Sequence, residues 1–405
     1  MISIGTISIA FLVILWITWR AWTFTILPKL RPNAPKQLPY AIPFVGHAFS
    51  FFGNTTALAL RGRRIVGRNG KDVFSLTAMG DTIHIVTNPK HISEVHGNNA
   101  SFSFHEFTED FVKSMGLSRE GISVTYGYGP SLPSWFLEKP NGFTWSTPDK
   151  SFAELVRQMH HAVFWLVLTN TNTKLVFRLL TYLLHNPELI SAIRDEVAPA
   201  FSGEGLDFKL LDYDYVGTSD QCPTLDAVWC ETLRLCTNSI SLRCVTQDVV
   251  IGGKLLKKGS KVIIPYRLLH LDESIYGPGA DEFRPQRFLE AKGREKTRLF
   301  SHWRPFGGGK SMCPGRHLAE HALKRMLVIM IFRYDFEIMG DATKIPECDE
   351  TRLGTMPGTG AMSVKEGQDF WVKITESGAK GRFGEGEEWL EEKMASLQLL
   401  GITKL

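Results

Sequence analysis

The sequence has few cysteines and little excess charge, and both shortages exclude classes of protein. Its 405 residues contain six cysteines, none of them in a Cys-x-x-Cys pair or a secretory disulfide framework. Reduced thiols on a cytosol-facing protein are the simplest account. A net charge of +4 is too small to indicate a nucleic-acid partner. No internal repeat is present, and 43% hydrophobic with 22% charged residues is ordinary for a globular protein with a large core.

The N-terminus lacks charge altogether. Met1 to Trp19 contains no charged residue, and nineteen helical residues span roughly 28 Å, enough to cross a membrane. Trp16 and Trp22 lie near its end, as interfacial aromatics do, and Arg20 with further basic residues follows. Because no basic residue precedes the apolar run, the positive-inside rule predicts a single-pass anchor with the bulk of the chain in the cytosol. A cleaved signal peptide is the alternative, but the basic n-region and an Ala-x-Ala-like site are missing.

The rest of the chain predicts a mainly α fold with a small β region. We predict a transmembrane anchor at 1–22, a stiff proline-rich hinge at 23–45, a catalytic domain at 46–375 and a polar tail at 376–405. Helical patterns cover 55–66, a short stretch from Asn88-Pro89, 106–115, 152–198, 225–235 and 318–332. Alternating runs predict a β-hairpin around Met79-Gly80-Asp81, short strands at 245–264 and a second hairpin at 352–372.

The most informative segment is the loop Phe306-Gly-Gly-Gly-Lys-Ser-Met-Cys-Pro-Gly315. It puts Cys313 at the start of a helix, where the macrodipole and free N–H groups favour thiolate over thiol. Its glycines let the backbone turn sharply and let a flat partner approach closely; they are Gly307, Gly308, Gly309 and Gly315. Phe306 supplies an aromatic wall beside the sulfur. The loop therefore suits one thiolate held against a planar metallo-cofactor.

Three other interpretations concern the same residues. A phosphate-binding P-loop fails because its required first glycine falls on Arg304. His317-Leu-Ala-Glu-His321 matches the short His-x-x-Glu-His pattern of inverted zinc peptidases. The third interpretation is a structural cysteine beside a glycine turn. A purely structural role would not require Phe, Gly, Cys and Gly at this spacing.

The loop resembles that of the cytochrome P450 family, Phe-x-x-Gly-x-x-x-Cys-x-Gly. The resemblance implies that Cys313 is the axial ligand of haem b (iron protoporphyrin IX), with Phe306, Gly307, Gly309 and Gly315 around it. A thiolate ligand favours O–O cleavage and so suits oxygen activation. The family usually has Arg or His two residues before the Cys, where this chain has Ser311.

Two further motifs strengthen the resemblance. Glu231 and Arg234 share one face of a predicted helix, where they can pair, although a solvated surface pair is the commoner case. In the family such a pair joins a downstream Arg, here Arg287, in an ion-pair network behind the haem loop. Arg243 matches a position that usually reaches a haem propionate, with an ordinary strand-edge Arg as the alternative.

The stretch Phe164 to Thr173 resembles the long helix over the haem. That helix usually carries an acid and an alcohol that relay protons, but this stretch has neither acid nor glycine. Thr171 or Thr173 could supply the alcohol, and Asn172 or Asn170 could orient water. The alternative is that these hydroxyls bond back to their own helix. The Asn-Thr version is similar to the prostacyclin-synthase and bile-acid 7α/12α-hydroxylase branch.

The resemblance covers about 1–115 and 160–375 and implies a P450 fold that is internally truncated around 116–155. It implies a haem-thiolate monooxygenase of the endoplasmic reticulum membrane that takes electrons from NADPH-cytochrome P450 reductase. Its substrate would be a lipophilic small molecule, such as a lipid, sterol or secondary metabolite, bound near 102–111, 169–173, 239–242 and 354–357. The alternatives are a P450-derived protein without turnover and a haem-thiolate isomerase acting on a peroxide.

Overall fold

The computed structural model describes residues 4–67, 72–107, 171–202, 209–210, 212–217, 220–340, 344–351 and 360–377. Most of these are helical, as the sequence predicts. The first elements are α1 (Ile4–Ala21), α2 (Leu27–Leu30), β1 (Lys36–Gln37), α3 (Ala48–Gly53), α4 (Thr55–Ile65), β2 (Phe74–Ala78), β3 (Asp81–Ile85), α5 (Pro89–Gly97) and β4 (Phe102–Ser103).

The later elements carry the candidate site. They are α6 (helical residues 171–184), α7 (Pro187–Val197), β5 (Phe201–Ser202), β6 (Lys209–Leu210), α8 (Pro223–Cys236), β7 (Ile240–Val245), β8 (Val249–Ile251), β9 (Lys254–Leu256), β10 (Lys261–Pro265), α9 (Arg267–His270), α10 (Glu273–Tyr276), α11 (Gln286–Leu289), α12 (Gly293–His302), α13 (Arg316–Arg333), β11 (Tyr334–Met339) and β12 (Trp371–Glu376).

The N-terminal apolar helix is longer than the predicted anchor. A stretch from Ser8 to Leu30 is long and apolar enough to cross a membrane, and it is not buried by the rest of the protein. A π-helical turn, Trp22–Ile26, connects α1 directly to α2. The first part of the predicted hinge is therefore helical, because Pro28 lies in the first turn of α2, where a missing N–H is tolerated.

The second part of the predicted hinge belongs to the folded body. β1 pairs in parallel with β2, and Leu38, 1% exposed, packs in a core cluster with residues of β2 and β3. The connector also touches the anchor: Trp16 Nε1 donates to the Ala41 carbonyl at 2.7 Å, and Arg20 donates to the Tyr40 carbonyl at 2.7 Å. The short stretch between α2 and β1 is also attached to the body, since the carbonyls of Pro32 and Asn33 accept hydrogen bonds from Lys254 Nζ and Leu255 N–H of β9.

The larger sheet joins strands from two distant parts of the sequence. Its strand order is β1-β2-β3-β10-β7-β4. The predicted hairpin is confirmed: β2 and β3 are antiparallel, and Met79 and Gly80 both have positive φ (50° and 85°), as in a type I′ turn. β10 then pairs in parallel with β3 and antiparallel with β7. Strands from residues 36–103 therefore form one sheet with strands from residues 240–265.

The helical core surrounds α8. Leu179 of α6, Ile193 of α7, Val228 of α8 and Val328 of α13 belong to one buried cluster. In α8, every residue from Thr224 to Cys236 except Asp226 is buried. Its polar side chains must therefore find partners inside the protein.

The first half of the hairpin predicted at 352–372 lies outside the described residues, and the described half pairs with other parts of the chain. β12 pairs with β11, Ala361 bridges to Thr237, and Val364 bridges to Cys348. These pairings are long-range, which a local turn pattern cannot indicate. Several other predictions lie outside the described residues: most of the helix at 106–115, the featureless stretch 116–155, Asn170, the segment 352–359 and the tail from 378.

The hairpin turn offers a test of the backbone geometry. Met79 is 55% exposed and adopts a left-handed conformation that asparagine tolerates better. We expect Met79→Asn to raise the free energy of unfolding by about 0.5 to 1 kcal/mol, measured by urea denaturation in detergent. Met79→Leu is the matched control and should leave the midpoint unchanged. Equal midpoints for the two variants would contradict the turn assignment.

Candidate active site

Cys313 is the exposed thiol at the entrance to α13. It is the one cysteine classed as exposed among the six, all of which are free and lie in the described residues. Its N–H donates to the carbonyl of Phe306 at 3.0 Å, which closes the loop, and its carbonyl accepts from Arg316 N at 3.4 Å. The Phe306 ring packs edge-on against Trp303 at 6.2 Å between centroids. The loop thus presents the sulfur outward from a closed base.

The glycines of this loop have different roles. Gly307 and Gly309 have φ of 80° and 67°, which favours glycine at both. A Cβ on Gly308 would lie 2.5 Å from the ring of His96, at the end of α5, so any other residue there would displace that ring. Gly315 has φ of −78°, and a Cβ would meet the Cys313 sulfur at an ordinary 3.8 Å. The chain itself therefore does not demand glycine at 315.

Arg243 is buried beside the loop. From β7 its guanidinium donates to the hydroxyl of Ser311 and to the Leu242 carbonyl (2.6 Å), and it lies 5.3 Å from the centroid of the Phe104 ring. Burial lowers the pKa of Arg243. Among the described residues no ion pair involves this guanidinium or that of Arg304. Arg243 thus contacts the cysteine loop directly, as an ordinary strand-edge arginine would not.

A histidine–tyrosine pair completes this corner. His96 Nε2 and the Tyr266 hydroxyl are 2.8 Å apart. Burial, followed by the nearby Arg243 and Arg304, lowers the pKa of His96 to about 4. His96 is therefore neutral at physiological pH. Sequence reasoning missed it, because only the packing of α5 against the loop brings it here.

Glu231 and Arg234 pair as their spacing predicts, and Arg287 joins them as the resemblance implies. Arg234 forms a bidentate pair with Glu231, with both N···O distances 2.7 Å and both side chains 0% exposed. Arg287 Nε lies 3.4 Å from Glu231 Oε1, and the Arg284 backbone N–H donates to the same oxygen at 3.0 Å. The pair is thus fully buried and is not a solvated surface pair.

The network continues to the base of the cysteine loop through residues that the sequence did not single out. Arg234 Nη1 donates to the carbonyls of His270 and Ala280. His270 Nε2 accepts the Arg304 N–H at 3.0 Å, and Trp303 Nε1 donates to the Cys230 carbonyl at 2.9 Å. Burial, with Arg234 and Arg267, lowers the pKa of His270 to about 3, so its ring is neutral and can accept.

Thr171, Asn172 and Thr173 lie in the first described turn of α6. Thr171 and Asn172 are half-buried and Thr173 is exposed. Thr171 Oγ1 is buried without a hydrogen-bond partner in the described part of the chain, whereas Thr181 donates back to the Phe177 carbonyl at 2.7 Å. α6 and α13 share a core cluster. No hydrogen bond among the described residues joins Thr171 to the Cys313 loop.

The His-x-x-Glu-His pattern does not form a set of metal ligands in the described residues. His317 is exposed and His321 packs against Gly217. Within the described ranges no group of three or more His, Cys, Asp or Glu side chains is arranged to hold a metal ion. His317 is therefore at the surface of α13, whereas His321 is half-buried one turn later.

Comparison with known proteins gives a family match that includes Cys313 and the buried ion-pair network. The sequence model described as Cytochrome P450 matches residues 158–364. Cytochrome P450 7A1 of Sus scrofa is 30% identical over 207 residues, which cover 48% of this chain and 41% of the relative.

Two further relatives match at similar identity. The 7-alpha-hydroxycholest-4-en-3-one 12-alpha-hydroxylase of Homo sapiens is 31% identical over 205 residues, 47% of this chain and 40% of the relative. Cytochrome P450 monooxygenase poxD of Penicillium oxalicum is 31% identical over 175 residues, 42% of this chain and 35% of the relative. The matches thus span about two fifths of the length of these relatives.

Removing the buried charge of Glu231 should destabilise the protein strongly. Glu231→Gln leaves two buried or half-buried guanidiniums without their carboxylate, and we expect a loss of about 3 to 5 kcal/mol in the free energy of unfolding. Glu282→Gln is the matched control, since Glu282 pairs with Arg284 at the surface, and should lose less than about 1 kcal/mol. Urea denaturation measures both, and comparable losses would refute a structural role for the network.

Buried neutral histidines predict acid sensitivity. Burial lowers the pKa of His84 and His96 to about 4 and that of His270 to about 3. Below pH 6.5 the unfolded chain binds protons that the folded protein does not, so stability falls as pH falls. The slope is up to about 1.4 kcal/mol per pH unit for each histidine. Denaturation at pH 7, 6 and 5 should show this fall, and His84→Gln should reduce its slope. Stability that stays constant from pH 6.5 to 5 would contradict the histidine assignment.

Proposed function

The chain belongs to the cytochrome P450 family, and we propose that it is a membrane-anchored haem-thiolate monooxygenase that oxidises a lipophilic small molecule. The observation that carries the proposal is the position of Cys313. It is an exposed thiol on a closed glycine loop at the start of α13, connected through Trp303 and Arg304 to a fully buried ion-pair network. The thiol and the network all lie within the family match.

The residues around Cys313 suit haem b. The sulfur is the soft ligand that iron requires in this class, and the glycine loop leaves its outer side open. Arg243 and Arg304 lie on one side of the loop without carboxylate partners among the described residues, and suit the two propionates of haem. When bound, haem supplies the redox-active iron that activates oxygen. The protein supplies the thiolate, the cations that hold the propionates and a rigid base for both.

Within α6, Thr171 is the stronger candidate for the proton-carrying alcohol. Its hydroxyl is buried and has no partner in the described residues, so it is available to hold a water molecule or a proton. Thr173 is exposed and has an interaction of its own. Asn172 is half-buried beside Thr171 and would orient the same water.

The apolar N-terminal helix supports a location at the endoplasmic reticulum membrane with the catalytic domain in the cytosol. We propose an anchor that extends to Leu30, a catalytic domain from Lys36 to Glu376 with a shortened part around 116–155, and a polar tail after it. Electrons would come from NADPH-cytochrome P450 reductase. A sterol is one substrate class to test first, since the human relative is named as the 12-alpha-hydroxylase of 7-alpha-hydroxycholest-4-en-3-one.

The reduced carbon monoxide difference spectrum tests the proposal. We expect full-length protein expressed in membranes to show the absorption band of thiolate-ligated haem, and Cys313→Ala to lose that band. Cys348→Ala is the matched control, because Cys348 is a half-buried thiol remote in sequence from the loop, and should keep the band. A band that persists in Cys313→Ala would refute the ligand assignment.

The same preparation separates the alternatives. Oxidation of a lipophilic substrate that requires both reductase and NADPH supports the monooxygenase. Conversion of a lipid peroxide without NADPH would indicate an isomerase instead. Wild-type protein that binds no haem, while Glu231→Gln still lowers its stability, would indicate a P450-derived protein without turnover.

A further inference from the structure

A second cysteine site lies at the C-terminal end of α8. Cys236, the last residue of α8, is 0% exposed, and Cys348 lies half-buried in the segment 344–351. Their side chains pack together in one small buried cluster with Tyr182 and Leu235. Cys236 Sγ also lies 3.6 Å from the Tyr182 hydroxyl, and Cys348 Sγ lies 4.0 Å from the Leu235 carbonyl. Both are free thiols.

Small molecules can reach one of the two sulfurs. A cavity of about 800 Å³ lies beside the pair and is lined by Cys348 together with Tyr182, Leu235, Arg267, Phe283 and neighbouring residues of 345–351. Cys236 is covered by Tyr182 and Cys348, which pack with it in one small cluster. A reactant in the cavity would therefore meet Cys348 first.

The surroundings of Cys348 favour its thiolate. The hydrogen bond from Cys236 lowers the pKa of Cys348 to about 7 against the opposing effect of burial, with help from Arg178 and Arg267. Both arginines are fixed: Arg178 donates to the carbonyls of Pro346 and Glu347, and Arg267 pairs with Glu350 at 2.6 Å. Cys222 and Cys230 differ, because burial raises their thiol pKa.

We propose that Cys236 and Cys348 form a reversible dithiol–disulfide site that a peroxide oxidises. The Cys348 thiolate attacks one peroxide oxygen, the O–O bond breaks, and a sulfenic acid and hydroxide form. The Cys236 sulfur then attacks the sulfenic sulfur, an S–S bond forms, and water leaves as the proton of Cys236 is taken up. Overall, two thiols and one hydrogen peroxide give one disulfide and two waters. A thiol such as glutathione reverses the reaction by exchange.

The bond would add a covalent link at a place where the end of α8 already contacts the segments 344–351 and 360–377. Cys236 ends the helix that carries Glu231 and Arg234, and its carbonyl accepts the Met362 N–H at 2.8 Å. Cys348 bridges to Val364, and Asp349 N–H donates to the Ser363 carbonyl at 2.8 Å. A disulfide would therefore tie α8 to the two described segments on either side of 352–359. The inference is independent of the proposed oxygenase activity.

Peptide mapping of the wild-type protein tests the proposal directly. Reduced full-length protein in detergent is treated with hydrogen peroxide, free thiols are blocked with N-ethylmaleimide, and a non-reducing digest is analysed by mass spectrometry. We expect a linked Cys236–Cys348 peptide that disappears after dithiothreitol. Oxidation of Cys348 to sulfinic acid without linkage, or the absence of any oxidation at Cys348, would overturn the proposal.

A labelling experiment tests the contact without an oxidant. At pH 7, Cys236→Ala removes the hydrogen-bond donor, so the thiolate fraction of Cys348 and its rate of maleimide labelling should fall about tenfold. Cys236→Ser keeps a donor and should label at close to the wild-type rate, yet form no disulfide. Equal rates for Ala, Ser and wild type would overturn the contact. Faster labelling in Cys236→Ala would mean that the variant is unfolded, and the wild-type peptide map then decides.

Discussion

The buried ion pair between Glu231 and Arg234 is the constraint on which this part of the fold depends. Two charges without solvent contact are tolerated only when almost all of their hydrogen-bonding capacity is used. Arg234 meets this requirement by donating to the carbonyls of His270 and Ala280, and Glu231 by accepting from Arg284 N–H. The segment from α9 to α11 is therefore held against α8 by bonds that cannot be exchanged for water.

The same constraint extends to the candidate ligand. The His270 carbonyl accepts a hydrogen bond from Arg234, which fixes the position of the residue. The His270 ring accepts the N–H of Arg304, two residues before the cysteine loop. Trp303 adds a second attachment to α8. Because the His270 ring is fully buried among guanidiniums, it stays neutral and keeps its acceptor nitrogen. Cys313 is thus exposed on a loop whose base is fixed, which is what a ligand of defined geometry requires.

Local patterns in the sequence were sufficient for local structure. The Met79-Gly80 turn, the Asn88 cap of α5 and the shared face of Glu231 and Arg234 each depend on residues a few positions apart. The contacts that complete the site could not be predicted in the same way. The parallel pairing of β3 with β10, the stacking of α5 on the cysteine loop and the meeting of Cys236 with Cys348 join residues far apart in sequence. The helical start of the predicted hinge was missed because a proline in the first turn of α2 does not end the helix.

Ser311 shows how a departure from the family pattern is accommodated. A cation two residues before the cysteine would lie against Arg243, whose guanidinium donates to the Ser311 hydroxyl. Arg243 and Arg304 already bring two positive charges to a partly desolvated corner, and the neighbouring His96 is held neutral by them and by burial. A third cation would add repulsion, whereas serine adds an acceptor for Arg243. Two guanidiniums match the two negative charges of a dicarboxylate, so under the proposed function serine at this position leaves enough positive charge for the two propionates of haem.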